Sequence, residues 1–284
     1  MGDHWTLETI DWQAFDRTKV DPVLVANMRA ASLVEANAQD YVEYLRKVFK
    51  DEPATMAVLE RWGTEEVQHG AALGRWAELA DPTFDFAEAF ARFRAGYKPP
   101  HFAGGDGSVR GSRIGELIAR CVVECGTSSG YTALRDAVDE PVLKQIAGLI
   151  AADEFAHYRL FYDLMQIQPE ARPPFWRRLW IVVTRLSETE DDEMAYAYYC
   201  ANVSPDQAAS VKYDRIACNR AYQIPMLAFY RLGHIESAVG MIARAIGLKP
   251  KSRLVTWSAR ALWEFVRRRA ASASSQKLGE PVTQ

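Results

Sequence analysis

Apolar positions along this 284-residue chain follow helical spacing almost throughout, and no stretch keeps the strict alternation of a half-buried strand. The pattern predicts a first long helix over 22–50, entered through Asp21-Pro22 with proline in the first turn. A second helix is expected over 54–80, between Asp51-Glu52-Pro53 and Asp81-Pro82, and a shorter one over 84–96. The run 97–107, with Pro99-Pro100 and Gly104-Gly105, is the clearest loop. Two more long helices are predicted over 109–137 and 141–167, and Pro169, Pro173 and Pro174 end that series. From Phe175 onward three or four further helices are expected, broken at Pro205, at Pro225 and at Gly247-Leu248-Lys249-Pro250. The expected architecture is all-α, with an N-terminal segment 1–21, a four-helix core 22–168 and a helical extension 169–284 packed on or beside it.

The four long helices carry the chemistry. Two of them contain Glu-x-x-His: Glu66-Val67-Gln68-His69 and Glu154-Phe155-Ala156-His157. Residues three apart share a helix face, so each tetrad aims a carboxylate and an imidazole at one point. The other two helices each hold a lone acid in an apolar run, Glu35 and Glu124. Glu35 and Glu66 are 31 positions apart, and Glu124 and Glu154 are 30 apart. That interval is one helical hairpin, which returns the second ligand level with the first. The order Glu, Glu-x-x-His, Glu, Glu-x-x-His is the dinuclear carboxylate pattern of a ferritin-like four-helix bundle. Exposed Glu and His on amphipathic helices are the plain alternative, but they would not repeat at one hairpin's interval. Four facing carboxylates without cations would be unstable.

Carboxylate and imidazole suit iron, with manganese an alternative, and four carboxylates balance the charge of two divalent ions. No closed Cys/His set points to zinc. Such a centre binds and reduces dioxygen. Thr127 lies three residues after Glu124 and shares its metal-facing side, where a hydroxyl suits an oxygen site; Gly126 and Gly130 leave room for a substrate channel or a local distortion. Asp153 precedes Glu154 and is a candidate partner for the outer nitrogen of His69 or His157. Glu65 precedes Glu66 in the same way but points about 100° away from the ligand face. Cys121 and Cys125 flank Glu124 as small core residues or as thiols near the metals. His101 and His234 stand outside the constellation.

At these residues the chain resembles the soluble acyl-acyl-carrier-protein desaturases. The resemblance rests on Trp62-Gly63-Thr64-Glu65-Glu66-Val67-Gln68-His69-Gly70, on Ile150-Ala151-Ala152-Asp153-Glu154-Phe155-Ala156-His157, on the lead-in 141–148, and on Glu35 followed by Tyr41. It covers about residues 30–168 and implies the ligands Glu35, Glu66, His69, Glu124, Glu154 and His157. It also implies a role for Thr127 beside the oxygen site, and for Asp153 in a path of electrons whose far end would be Trp12. The Cys-Gly after Glu124 departs from the family's Arg-Ala. The implied activity is dioxygen-dependent insertion of a double bond into a fatty acyl chain borne by an acidic carrier protein, with electrons from a separate donor such as ferredoxin. The carrier would dock on Arg172, Arg177, Arg178 and Arg185 or on the C-terminal basic cluster. Three alternatives stay open at this level: a dinuclear oxygenase hydroxylating or N-oxygenating a small molecule, an iron-binding ferroxidase, and a metal-free structural protein.

Charge sharpens the expectations about partners. The whole chain carries −3, with pI about 6.0, which implies no general nucleic-acid role. Residues 249–284 carry eight Lys/Arg against Glu264 and Glu280, a net +6, which leaves −9 for residues 1–248. That basic end suits an anionic partner or membrane surface. No apolar run reaches the length of a membrane helix. The N-terminus lacks the basic and apolar regions of a signal peptide. Four cysteines without a Cys-x-x-Cys pair suggest reduced thiols in a cytoplasm. The aromatic runs of the extension, such as Tyr196-Ala197-Tyr198-Tyr199, suggest core packing or a homodimer contact.

Overall fold

In the computed structural model, residues 4–97, 107–187 and 192–277 are described, without the side chains of 209 and 271–277. All regular structure among them is helical. The elements are α1 Pro22–Ala36, α2 Ala38–Val48, α3 Pro53–Ala80, α4 Phe86–Gly96, α5 Arg113–Ala137 and α6 Pro141–Ile167. The extension contains α7 Phe175–Ser187, α8 Asp192–Asn202, α9 Arg215–Leu227, α10 Leu232–Ala245 and α11 Arg253–Lys277. No helix among the described residues is long and apolar enough to cross a membrane. The expected loop at 97–107 lies outside the described residues, apart from Tyr97 and Gly107, and so does His101.

Proline and carboxylate caps set the helix starts. The side chain of Asp21 accepts from Val23 N ahead of Pro22. Glu140 accepts from the amides of Val142 and Leu143 ahead of Pro141. Glu140 is fully buried, and it also receives the Trp76 indole at 2.7 Å and Asp16 N at 3.1 Å. Those four donors compensate its burial and tie the N-terminal segment, α3 and α6 together. Helix α5 begins at Arg113, later than the pattern predicts, because Ser112 caps it through Gly115 N. A turn closed by Gly111 N to Ser108 O, with Gly111 at φ +82°, precedes the cap.

The expected first helix is two helices. The chain breaks at Asn37, whose Nδ2 donates to Glu193 and whose Oδ1 accepts from Arg94. These partners come from α8 and α4, so tertiary contacts stop α1 where no proline or glycine does. Among the described residues the extension holds five α-helices rather than three or four. The division not expected is the one between α7 and α8; the break expected at Pro225 falls at 228–231, with Pro225 inside α9, two residues before its end.

Helices α5 and α6 form a hairpin joined by Val138–Glu140, α1 packs along α3, and α3 meets α6. Helix α8 covers α1, α7 and α10 cover α5, and α11 lies on α10 and α9. Two apolar layers fill the interior. One contains Met28, Leu33, Leu73, Trp76, Leu134 and Ile146. The other contains Leu45, Leu59, Ile118, Cys121, Phe161 and Leu164. On α3 Glu66 and His69 fall between the two layers, from Leu59 to Leu73, and on α6 Glu154 and His157 do so between Ala151 and Tyr158.

Candidate metal centre

Glu35, Glu66, Glu124 and Glu154 converge from α1, α3, α5 and α6, and His69 and His157 join them. The six side chains form two overlapping donor groups. One is Glu35, Glu66, His69 and Glu154; the other is Glu66, Glu124, Glu154 and His157. Within each group the donor atoms lie within 4.8 Å of one another. Glu66 and Glu154 belong to both groups, so they stand between two positions, each with its own outer carboxylate and imidazole. His69, Glu124, Glu154 and His157 are almost wholly buried, whereas Glu35 keeps partial exposure.

Each imidazole turns Nδ1 inward. His69 Nδ1 lies 3.4 Å from Glu66 and 3.4 Å from Glu154; His157 Nδ1 lies 3.2 Å from Glu66 and 3.7 Å from Glu124. The outer nitrogens are held by carboxylates from the opposite tetrad. His69 Nε2 meets Asp153 at 3.0 Å, and His157 Nε2 meets Glu65 at 2.9 Å. The residue before each tetrad's glutamate therefore fixes the histidine of the other tetrad. Of the two histidines expected as partners for Asp153, it meets His69. Glu65 is off the ligand face, as its position predicts, but the same 100° turn delivers it to His157, a role the sequence reading missed.

Burial raises the Glu66 carboxyl, but the close His157 and His69 imidazoles outweigh it and hold Glu66 below its ordinary range. Burial lowers both imidazoles, yet the surrounding carboxylates, Asp153 first for His69 and Glu124 first for His157, hold them well above theirs. Glu35 and Glu124 move the other way: desolvation, then the charge of Glu66 on Glu35 and of Glu154 on Glu124, pushes each well above a normal carboxylate. Protons on those groups relieve repulsion that cations would also relieve.

The donor set fits a metal on a second count. His69 Nδ1, His157 Nδ1, Glu154 Oε1 and both oxygens of Glu124 are buried and make no hydrogen bond. Buried polar atoms normally find a partner. Here the unpartnered atoms are the ones that face one another, and they are of the types that ligate divalent iron or manganese.

Around this cluster Thr127 Oγ1 donates to Glu154 Oε2, and Tyr131 OH donates to Glu35 Oε1 at 2.5 Å. The expected Thr127 thus reaches a candidate ligand directly, and Tyr131 is an addition. Gly126 has open space where a Cβ would stand, and α5 runs unbroken through 126–130, so no local distortion accompanies these residues. Cys121 and Cys125 are buried thiols directed at the carbonyls of Tyr158 and Ala238, which places both in packing contacts. Burial lifts the Cys125 thiol to about 12.

The indole that reaches Asp153 belongs to Trp5. Its Nε1 donates to Asp153 Oδ2 at 2.6 Å, and its ring stacks on His69 at 5.9 Å with 2° between planes. Gln68 holds the Trp5 carbonyl at 2.8 Å, and His4 Nε2 adds a 3.0 Å contact to Asp153. Trp12, placed at this position by the resemblance, instead donates to Leu7 O and lies under the Arg75 guanidinium. His234 pairs with Asp136, apart from the cluster. Two surface clefts, one lined by Val109, Arg110, Arg177, Trp180, Ile181 and Thr184 and the other centred on Gly107–Arg113, share no residue with the donor set. No protein-family model matches the chain, and no curated protein matches it.

Proposed function

We propose that this chain is a ferritin-like, dinuclear-metal oxidoreductase that uses dioxygen to introduce a double bond into a long fatty acyl chain presented on an acidic carrier protein. The observation that carries the reading is the pair of donor groups sharing Glu66 and Glu154, one group per metal position. Two bound irons, or manganese in their place, would supply dioxygen reduction and an oxidant able to take hydrogen from an unactivated carbon, which no side chain provides.

The protein's own residues set the conditions for that chemistry. Glu66 and Glu154, common to both donor groups, would help hold both ions, with Glu35 and His69 completing one set and Glu124 and His157 the other. Asp153 and Glu65 hold the Nε2 of the histidines, which turns each Nδ1 inward, where it could ligate a metal on losing its proton. Thr127 orients the Glu154 carboxylate, and Tyr131 orients Glu35. Trp5, Asp153 and His69 form a continuous line from a half-buried indole to a ligand, and it is suited to accept electrons from an external donor such as ferredoxin.

One observation favours a second reading, oxygenation of a small molecule. One turn before Glu124 on α5 stands the buried Arg120, above the Tyr41 ring and 3.7 Å from Glu116. Buried Glu193 accepts from Tyr41 and Asn37 nearby. A long apolar chain does not fit among these charges, which favours a smaller, polar substrate on this side of the centre.

The test begins with metal content and absorption spectrum after anaerobic iron addition, then turnover of an acyl-carrier substrate with an external reductant. About two irons per chain and a product short of a pair of hydrogens support desaturation. A product gaining oxygen selects the second reading. A chain that retains no transition metal sinks both.

A further inference from the structure

Helix α11 is amphipathic twice over. Its inner face sets Val255, Ala259 and Val266, with Trp263, against Ile235, Leu227, Tyr230 and Val239 of α9, α10 and their connection. A second apolar stripe, Leu254, Trp257, Ala261 and Phe265, follows the i, i+3, i+7, i+11 spacing of a single face and is exposed along its whole length. Leu254, Trp257 and Phe265 are 64%, 70% and 58% exposed, values typical of surface polar side chains rather than of Trp or Phe. Around the stripe stand Arg253, Arg260, Arg267, Arg268 and Arg269, against one acid, Glu264, which pairs with Arg267.

We infer that the outer face of α11 docks on an anionic lipid surface, with Leu254, Trp257 and Phe265 entering the headgroup boundary and the surrounding arginines meeting lipid phosphates. The inference goes beyond the proposed activity and does not depend on it.

Charge chooses this occupant. Residues 253–269 carry five arginines and one glutamate, a net +4, so a second copy apposed face to face would bring two such helices together. An acidic protein surface would satisfy the arginines but offers no apolar medium for an aromatic stripe. An anionic bilayer interface supplies both, and a basic helix carrying Trp and Phe on its apolar face is the kind that lies in that interface. The rest of the chain, at −9 for residues 1–248, is repelled by the same surface and so orients the basic end toward it. Helix α7 also exposes Trp176 and Trp180, but its Arg177 and Arg178 already donate to the carbonyls of Arg110 and Ile246.

The full chain should float with vesicles of phosphatidylcholine mixed with phosphatidylglycerol, at least about tenfold more than with phosphatidylcholine alone, and rising salt should weaken the association. The double substitution Trp257→Ser with Phe265→Ser should lower the bound fraction about tenfold without moving the thermal midpoint, since both side chains are exposed. If that variant melts early, Arg260→Gln with Arg268→Gln carries the test, with a smaller loss expected. The same loss from Trp176→Ser with Trp180→Ser would assign the surface to α7 and overturn the inference. So would equal flotation with both vesicle types, or none with either.

Discussion

Hairpin α1–α3 holds Glu35 on a helix that stops one residue later, while hairpin α5–α6 holds Glu124 inside an unbroken helix of 25 residues. The donors correspond pairwise, and so do the residues behind them, Asp153 for His69 and Glu65 for His157. Their surroundings do not. Glu35 keeps solvent contact and receives the Tyr131 hydroxyl, whereas Glu124 is buried with both oxygens unpartnered. Asp153 leads outward to Trp5 and His4; Glu65 leads to exposed Arg61. The backbone supplies a near-symmetric set of candidate donors, and their partners, Tyr131 on α5, Arg61 on α3 and the N-terminal Trp5 and His4, make one half of the centre different from the other.

The largest effect expected breaks the pairing of the two halves. Glu66 belongs to both donor groups, and Glu35 and Glu124 belong to one each. Glu66→Ala should abolish binding at both positions, while Glu35→Ala and Glu124→Ala should each leave about one metal per chain. Metal analysis after anaerobic iron addition reads this directly. If Glu66→Ala keeps the stoichiometry of the parent, the two positions do not share a carboxylate and the dinuclear reading is wrong.

Next in size is a packing effect confined to the first hairpin. A Cβ on Gly70, the residue after His69, would stand 2.5 Å from Ala36 N and 2.7 Å from Ser32 O. Those atoms are helix backbone, which cannot rotate away. Gly70→Ala should therefore cost about 3 kcal/mol or more in chemical denaturation, the upper end of overpacking penalties. A cost below about 1 kcal/mol would mean that α1 can move off α3 freely, and that the level of Glu35 with Glu66 is loosely set.

The third comparison weighs the two outer carboxylates. Asp153→Asn and Glu65→Gln each weaken the acceptor behind one histidine, and each should reduce metal affinity by about 10- to 100-fold. Only Asp153→Asn should also slow reduction by an external donor, because only Asp153 touches Trp5. Stopped-flow reduction of the metal-loaded variants separates the two. Equal slowing in both would remove Trp5 from the path.

What the amino-acid pattern reveals and what it hides follow from where each signal resides. Helix starts at Pro22, Pro53 and Pro141 are legible because a ring-locked φ is local, and at Pro22 and Pro141 the carboxylate that caps the helix is the preceding residue. The convergence of the candidate donors is legible because i, i+3 spacing and hairpin length are local too. The stop at Asn37 is not, because Arg94 and Glu193 impose it from other helices. The choice of Trp5 over Trp12 is hidden for a related reason. Residues 4–21 form short turns without helical periodicity, and the register of that segment is fixed by Gln68 on the Trp5 carbonyl and Glu140 on Asp16 N. The place of Glu65 off the ligand face is legible, but its contact with His157 is not, since an argument about one helix face says nothing about what the neighbouring helix presents to the next face.

The smallest predicted effect tests the other half at the matching place. Gly126, two residues after Glu124, has nothing within 4 Å of an added Cβ and lies in the middle of α5. Alanine there gains helix propensity without a clash, so Gly126→Ala should stabilise the chain by about 0.5–1 kcal/mol. If the space beside Gly126 admits substrate, the same variant should raise KM for a long acyl substrate while leaving metal content unchanged. Greater stability with unchanged KM would leave Gly126 as a helix defect with no part in access. Lower stability would show that the open space is filled in solution by a group that α5 must accommodate.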